Sequence, residues 1–447
     1  MNYEEVTSYI FGLRRFGEIK LGLERVSYLL EKLGNPQQHY KIIHVGGTAG
    51  KGSTVAMASS ILKEAGFRIG TYTSPHLASY TERITINGER IPESEVVRLF
   101  TKLKPMIDEM QSLGDNMSPT FAEVTTAIAL YHFAERSVDF AVMEVMMGGR
   151  LDATNVVKPV ASVITNIALE HTEYLGDTIE KIAAEKAGII KEKGILVTTA
   201  EQEACKVFER VCEEKGAKML RLGKDFKVKV ESSAITGQTF LFEGFGEKLE
   251  LYTPLVGEHQ AENAAAAVAA MLALREKGIE VSRLGVIEGL RSVKWPGRME
   301  VVQTSPLVIL DCAKDVLASK RLAEAVQQIV RPKKVVMVIS TSADKKHKQM
   351  MADLAPISDY IIATKHSVMG RALDPELLAE EAAAHGKPCD VEPDVKLAVM
   401  KAVGKAKPDG CVLVTGSVFT VGEARDIWFP EKPLWGRDFN ESRKAQI

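Results

Sequence analysis

Apolar and polar residues alternate along this chain in two registers. Short continuous apolar runs rich in Val, Ile and Thr are separated by longer stretches of helical period. "KIIHV" is followed by "STVAMASSILKEAGF", and "FAVMEV", "ASVITNI" and "ILVTTA" repeat the strand-length run. Unbroken apolar runs of this length fit strands buried on both faces of a parallel sheet, and their alternation with helices implies right-handed crossovers. A second series, "LVILDCA", "KVVMVIS", "YIIAT" and "CVLVTGS", follows later. Between the two lies "SVKWPGRMEVV", where Trp295-Pro296-Gly297 interrupts helix and strand alike. The expected architecture is α/β: a P-loop-type parallel sheet domain over 1–296, then a smaller Rossmann-like α/β domain over 297–447. "FKVKVESSAITGQTFLFEGFGEKLELYTPL" reads as a small antiparallel strand set within the first domain.

A chain of 447 residues is long enough for two or three domains. A formal net charge of −2 advertises no nucleic-acid surface, and 6% aromatics disfavours a base-stacking platform. No apolar run reaches the roughly 20 residues that span a bilayer, and the first residues lack a signal-peptide pattern. The five cysteines include no C-x-x-C pair. These features predict a reduced, cytoplasmic protein with neither membrane nor nucleic-acid partners.

The segment "VGGTAGKGST", Val45 to Thr54, joins the first strand to its helix. A glycine-rich turn there lets several N–H groups point at one spot, and the helix N-terminus adds partial positive charge. Gly46, Gly47, Gly50 and Gly52 supply the turn, Lys51 a full charge, and Ser53 and Thr54 hydroxyls at the helix start. This predicts a phosphate cradle; the competing reading is an ordinary glycine loop capped by Ser53. The spacing departs from G-x-x-x-x-G-K-[ST], because Gly52 separates Lys51 from Ser53. Metal ligands are expected at neighbouring strand ends. Glu144 closes "FAVMEV", His171 follows "ASVITNI", and Ser74 follows a third strand in "TYTSPHL". That mixed oxygen and nitrogen set suits magnesium or manganese better than zinc. Lys186 sits among Ala183, Ala184, Ala187 and Gly188, with little bulk around it.

With these residues in hand, the chain resembles the folylpolyglutamate synthase and dihydrofolate synthase family of the Mur ligase superfamily. The likeness runs through "GGTAGKGST", "TSPHLASYTERITING", "FAEVTTAIAL", "EVMMGGRLDATNVV", "ITNIALEHTEYLGDTIEKIAAEKAGIIK", "GEHQAENAAAA", "WPGRMEVV" and "VTGSVFTVGEAR". The resemblance implies an ATP-dependent ligase that adds L-glutamate to a folate or dihydropteroate carboxylate through an acyl phosphate. It implies that Gly47, Thr48, Gly50, Lys51, Gly52, Ser53 and Thr54 hold ATP phosphates, with Asn263, Arg298, Asp311 and Lys314 completing the nucleotide site. Beside Asn263, His259 and Gln260 belong to the same motif. Ser74, Glu144 and His171 would arrange magnesium, with potassium as an optional further ion. Lys186 matches the lysine that the family carbamylates; Lys51, Lys186 and His171 form the implied catalytic set. Phe121, Ala122, Asp152 and Ser417 are the implied substrate residues. Many relatives act as monomers, and a monomer is expected here.

Against the family pattern, Ala49 stands where asparagine is usual, and Met146 and Met147 where glycine and leucine are typical. "DCAKDV" replaces Asp-Gly-Ala-His-Asn-Pro, so Lys314 stands for a histidine. Ala122 replaces a frequent second phenylalanine, removing a stacking contact of about 0.5–1.5 kcal/mol. These changes leave two other expectations in play. One is a divergent Mur-type ligase acting on a non-folate carboxylate. The other is a nucleotide-binding protein that has lost ligation.

Overall fold

The computed structural model describes residues 1–13, 21–368 and 370–431. The first sheet contains β1 (Lys41–Gly46), β2 (Ile69–Tyr72), β3 (Ile84–Ile86), β4 (Glu89–Arg90), β5 (Phe140–Glu144), β6 (Ala161–Ile164), β7 (Ile195–Thr198) and β8 (Lys218–Arg221). Their order across the sheet is β4-β3-β2-β5-β1-β6-β7-β8. From β2 to β8 every neighbouring pair is parallel; β3 and β4 add an antiparallel edge.

Alternate residues of β1 feed two separate cores, because successive side chains of a strand point to opposite faces. Ile43 and Val45 join the helices Lys51–Glu64, Glu258–Ala273 and Arg283–Ser292. Ile42 faces the other way, toward the helices Glu93–Ser112 and Phe121–Glu135. Both faces being covered, the strands carry the continuous apolar runs seen in the sequence. The expected antiparallel set is β9 (Phe226–Ala234), β10 (Gly237–Gly244) and β11 (Glu247–Thr253). Phe240, Phe242, Leu249 and Leu251 alternate inward and extend the first core.

The later strand series forms a second sheet from β12 (Glu300–Thr304), β13 (Leu307–Leu310), β14 (Val335–Ile339), β15 (Tyr360–Ala363), β16 (Cys389–Val391) and β17 (Cys411–Thr415). Its order is β12-β13-β17-β14-β15-β16, parallel apart from β12. The chain returns to insert β17 between β13 and β14. Their carboxyl ends therefore share a crevice, where open α/β sheets bind ligands. Among the described residues no helix is long and apolar enough to cross a membrane.

Two packing features hold the site-bearing helix Lys51–Glu64. Gly285 and Gly289 lie one turn apart on the helix Arg283–Ser292. A Cβ at Gly289 would fall 2.4 Å from the Ile61 Cα, and one at Gly285 2.8 Å from the Ala65 Cβ. At the other end the Trp295 indole packs on Gly52, where a Cβ would meet the ring at 2.6 Å. The segment between the two sheets thus rests against the start of the helix that carries Lys51. Gly289→Val should destabilise the protein by about 2–3 kcal/mol, since the obstructing atoms are backbone and cannot rotate away. Urea unfolding measures this, and a loss below about 0.5 kcal/mol would contradict the close helix contact.

Candidate active site

The glycine turn follows β1 and adopts backbone angles that side chains resist. Gly47 has φ +133° and Gly50, the N-cap of the helix, φ +84°. A Cβ at Gly47 would fall 1.9 Å from the Thr165 Oγ1, and one at Gly50 2.3 Å from the Asn263 Oδ1. The helix begins at Lys51, and its N-cap makes no side-chain hydrogen bond, so Ser53 does not cap the loop. Ser53 and Thr54 are buried in the first turn, where the Thr54 hydroxyl donates to the Gly50 carbonyl at 3.0 Å. Among the described residues the first amides of the helix have no side-chain partner, the condition under which a helix start receives an anion.

The residues that follow β6 bolt this turn in place. The Thr165 hydroxyl donates to the Ala49 carbonyl at 2.6 Å. The Asn166 side chain accepts from the Ala49 amide at 2.9 Å and donates to its carbonyl at 3.2 Å. Thr48 is tied to Ala168, accepting from its amide at 3.0 Å. Position 49 therefore keeps its place through its backbone, without an asparagine side chain. Asn263 is buried in the helix Glu258–Ala273 and donates to the side-chain Oε1 of Gln260 at 3.1 Å. His259 beside it is held neutral, its pKa driven down to about 3 by burial and then by Arg321 and Arg298.

Two lysines meet at one carbonyl. The Lys51 ammonium donates to Gly47 O at 3.1 Å and Thr48 O at 3.0 Å. Lys186, buried in the helix Ile179–Ala187, donates to the same Gly47 O at 2.9 Å. Burial first, then the charge of Lys51, lowers the Lys186 pKa to about 7. An amine so placed is half neutral near physiological pH, whereas an ordinary lysine is fully charged.

Glu144 ends β5 with its carboxylate buried, and one oxygen accepts from the Ser74 amide at 2.9 Å. Burial raises its pKa against the opposing charges of Lys51, Lys314 and Arg298. Lys314 and Arg298 belong to the chain beyond Trp295, so cations from both sheets surround this acid. His171 sits at a left-handed position, φ +51°, at the start of a short helix, with its Nε2 3.6 Å from the Glu170 carboxylate. The structure thus joins Ser74 to Glu144 directly and sets His171 beside Glu170. Among the described residues no three His, Cys, Asp or Glu side chains converge to hold a metal by themselves. A hard cation at Glu144 needs oxygens from elsewhere, which suits magnesium, an ion that usually keeps waters and phosphate oxygens.

Asp311 does structural work. Its carboxylate accepts from the Met299 amide and the Ala313 amide, both at 2.9 Å, and so pins the segment that carries Arg298 to the second sheet. Asp315, at a position where the family has asparagine, caps the helix Val316–Ala325 by accepting from the Ala318 amide. Ser417 is buried and caps the helix Val418–Arg425, accepting from the Phe419 amide at 3.2 Å.

A cavity of about 1080 Å³ opens beside the turn. Phe121, Ala122, Asp152, Met146, Met147, Glu170 and His171 line it on one side, and Asp315, Lys345, Arg371 and Phe419 on the other. Ser417 is not among its walls; Phe419, two residues on, is. Phe121 stacks on Phe11 with ring centroids 5.6 Å apart and planes 13° apart, and the Arg83 guanidinium lies 5.0 Å from its ring. The Thr120–Glu123 capping box sets the start of that helix, and Glu123 is anchored by a buried ion pair to Arg25 at 2.9 Å. Sequence reasoning missed Thr165, Asn166, Arg83, Glu170 and Arg371. For Thr165 and Asn166 a signal existed, two polar residues directly after an apolar strand run. For Arg83 and Arg371 none did, since their neighbours are distant in sequence.

The chain matches the Mur ligase middle domain over residues 45–271 and the Mur ligase glutamate ligase domain over 297–418. It is 36% identical over 428 residues to the dihydrofolate synthase/folylpolyglutamate synthase of Bacillus subtilis, covering 95% of this chain and 98% of that protein. It is also 36% identical over 442 residues, 96% of this chain, to a probable bifunctional folylpolyglutamate synthase/dihydropteroate synthase of Haloferax volcanii; this chain spans about half of that protein, 51%. The solved structure of Mycobacterium tuberculosis folylpolyglutamate synthase complexed with ADP superimposes with a TM-score of 0.89 at 33% identity, covering 96% of this chain and 99% of that one. The glycine turn, the paired lysines and the two-sheet cavity thus sit in a chain that belongs to the folylpolyglutamate synthase/dihydrofolate synthase family of Mur ligases.

Proposed function

We propose that the protein is an ATP-dependent ligase that joins L-glutamate to the carboxylate of a folate or dihydropteroate. The observation that carries this reading is the convergence of Lys51 and Lys186 on the Gly47 carbonyl, beside a cavity walled from both sheets. Joining a carboxylate to an amine requires a better leaving group than oxide. The carboxylate oxygen attacks the γ-phosphorus, the bond to the ADP oxygen breaks, and an acyl phosphate forms. The glutamate amine then forms the amide, releasing phosphate and a proton.

In this reading the turn amides and Lys51 take the phosphates, while Arg298 and Lys314 add positive charge from the other side. Glu144, Ser74 and His171 would hold magnesium, which would offset charge developing on the transferred phosphoryl group. Phe121 and Asp152 receive the ring end of the acceptor, with Ala122 leaving room beside them. We place the hinge between the two halves at Pro296–Gly297, so that closure excludes water from the acyl phosphate. A second reading keeps the chemistry and changes the carboxylate, because Ala122, Met146 and Met147 all line the cavity.

Incubation with ATP, magnesium, glutamate and dihydropteroate or tetrahydrofolate should release ADP and a product heavier by one glutamyl unit in mass spectrometry. Lys51→Ala should lower the rate at least about 100-fold, as loss of a charged phosphate contact does. A folded protein that releases no ADP with either acceptor, yet does so with another carboxylate, favours the second reading.

The lowered pKa of Lys186 supports a carbamate there. The neutral amine attacks CO₂, a nitrogen–carbon bond forms, and one proton leaves to solvent. At pH 8 an amine with pKa about 7 is mostly neutral and at pH 6 mostly protonated, so occupancy should rise across that interval. With ¹³C-bicarbonate, a carbamate resonance should grow from pH 6 to pH 8 and vanish in Lys186→Arg. A resonance equally strong in that variant would contradict the assignment.

A further inference from the structure

Behind the cavity wall runs a hydrogen-bond chain that starts inside the first sheet. His44 lies on β1, fully buried, on the same face as Ile42 and away from the core that receives Ile43 and Val45. Its Nε2 is 2.8 Å from the hydroxyl of Thr154, itself fully buried. That hydroxyl is in turn 2.6 Å from the Asp152 Oδ1, which also accepts from the Thr154 amide at 3.0 Å. The other oxygen of Asp152 accepts from the Met147 amide at 2.8 Å.

Burial raises the pKa of Asp152 against its bonds from Met147 and Thr154; in its ionised form the donors and acceptors have one consistent assignment. A carboxylate only accepts, so the Thr154 hydroxyl donates to Asp152. The same hydroxyl must then accept from His44, which fixes the Nε2–H tautomer. The Nδ1 of His44 is buried and has no hydrogen-bond partner among the described residues. A buried polar atom left in that state costs stability. Burial, with the charge of Lys191, drives the pKa of His44 to about 3; the ring is a permanent neutral donor rather than a titrating switch.

We propose that His44 is a positioning residue for the acceptor end of the site: its Nε2–H commits the Thr154 hydroxyl to Asp152, and this aims the remaining lone pair of that carboxylate into the cavity at an N–H donor of a heteroaromatic ring. The inference rests on the reading of Asp152 under the proposed function. Three of the roughly four acceptor positions of the carboxylate are taken by Thr154 and Met147, so the direction left for a ligand is set by these bonds. Without the imidazole, the hydroxyl is free to rotate away. Asp152 then loses its shortest bond and is held by the Met147 and Thr154 amides alone, whereas the phosphate turn is untouched.

The test uses the full chain and its own ligation assay with dihydropteroate. His44→Leu should raise the KM for dihydropteroate about tenfold while the KM for ATP moves less than twofold. His44→Gln, which carries a donor nitrogen at a similar reach, should recover most of that loss. Thr154→Val should lose as much as His44→Leu, and the double variant no more than either alone, because both remove one interaction. Nitrogen NMR of the wild type should show the His44 Nε2–H tautomer between pH 6 and pH 8. A His44→Leu protein with unchanged KM for dihydropteroate, or one whose KM values for ATP and dihydropteroate rise together, overturns the positioning role. Additive losses in the double variant, or an Nδ1–H tautomer, overturn it as well. Wild type that makes no glutamylated product overturns the functional reading itself, a result distinct from any of these.

Discussion

Two ammonium groups share the carbonyl of Gly47, and the site is organised around that crowding. Lys51 and Lys186 repel each other, yet both approach within 3.1 Å of one oxygen. Such an arrangement is stable only where anionic charge is at hand or one amine gives up its proton. The structure provides for both. Glu144 and Glu170 stand nearby, and the Lys186 pKa has fallen to about 7. The left-handed glycines make the crowding geometrically feasible, since a side chain at Gly47 would strike Thr165.

The same charge balance ties the two sheets together. Lys314 and Arg298 come from beyond Trp295 and still act on Glu144, while Lys314 also feels Glu170. An acid of one sheet thus feels cations carried by the other. The position of the second sheet is further set by Asp311, which locks the Arg298 segment to it, and by Trp295, which rests on the start of the phosphate-side helix. A polyanionic ligand entering this space would meet positive charge from both walls.

Much of this was readable from the chain, for identifiable reasons. The strands β1, β5, β6, β7, β13, β14, β15 and β17 are buried on both faces, so their composition announces them. The edge strands β4 and β8 and the neighbouring β3 are short or half-exposed, and β12 and β16 are partly exposed as well; none carries a comparable apolar run. Glycine and lysine spacing pointed to the turn, a strand end to Glu144, small neighbours to Lys186, and the family resemblance to Asp152. Sequence did not reveal that Ser417 and Asp315 cap helices, because a capping residue and a ligand-binding residue are the same kinds of side chain. Nor did it reveal Thr154 behind Asp152, or His44 behind Thr154. His44 reads as one more residue of an apolar strand until the fold brings position 154 within 2.8 Å of it.

Under the proposed function the backbone from Gly46 to Thr54 grips a nucleotide triphosphate. Calorimetric titration with a non-hydrolysable ATP analogue and magnesium, on wild type and Gly50→Val, tests it most directly. Wild type should bind saturably, one to one, and the variant should lose that binding, since a branched side chain cannot adopt φ +84° beside Asn263. Binding of equal strength in a folded Gly50→Val protein, or no heat from the wild type, would contradict it.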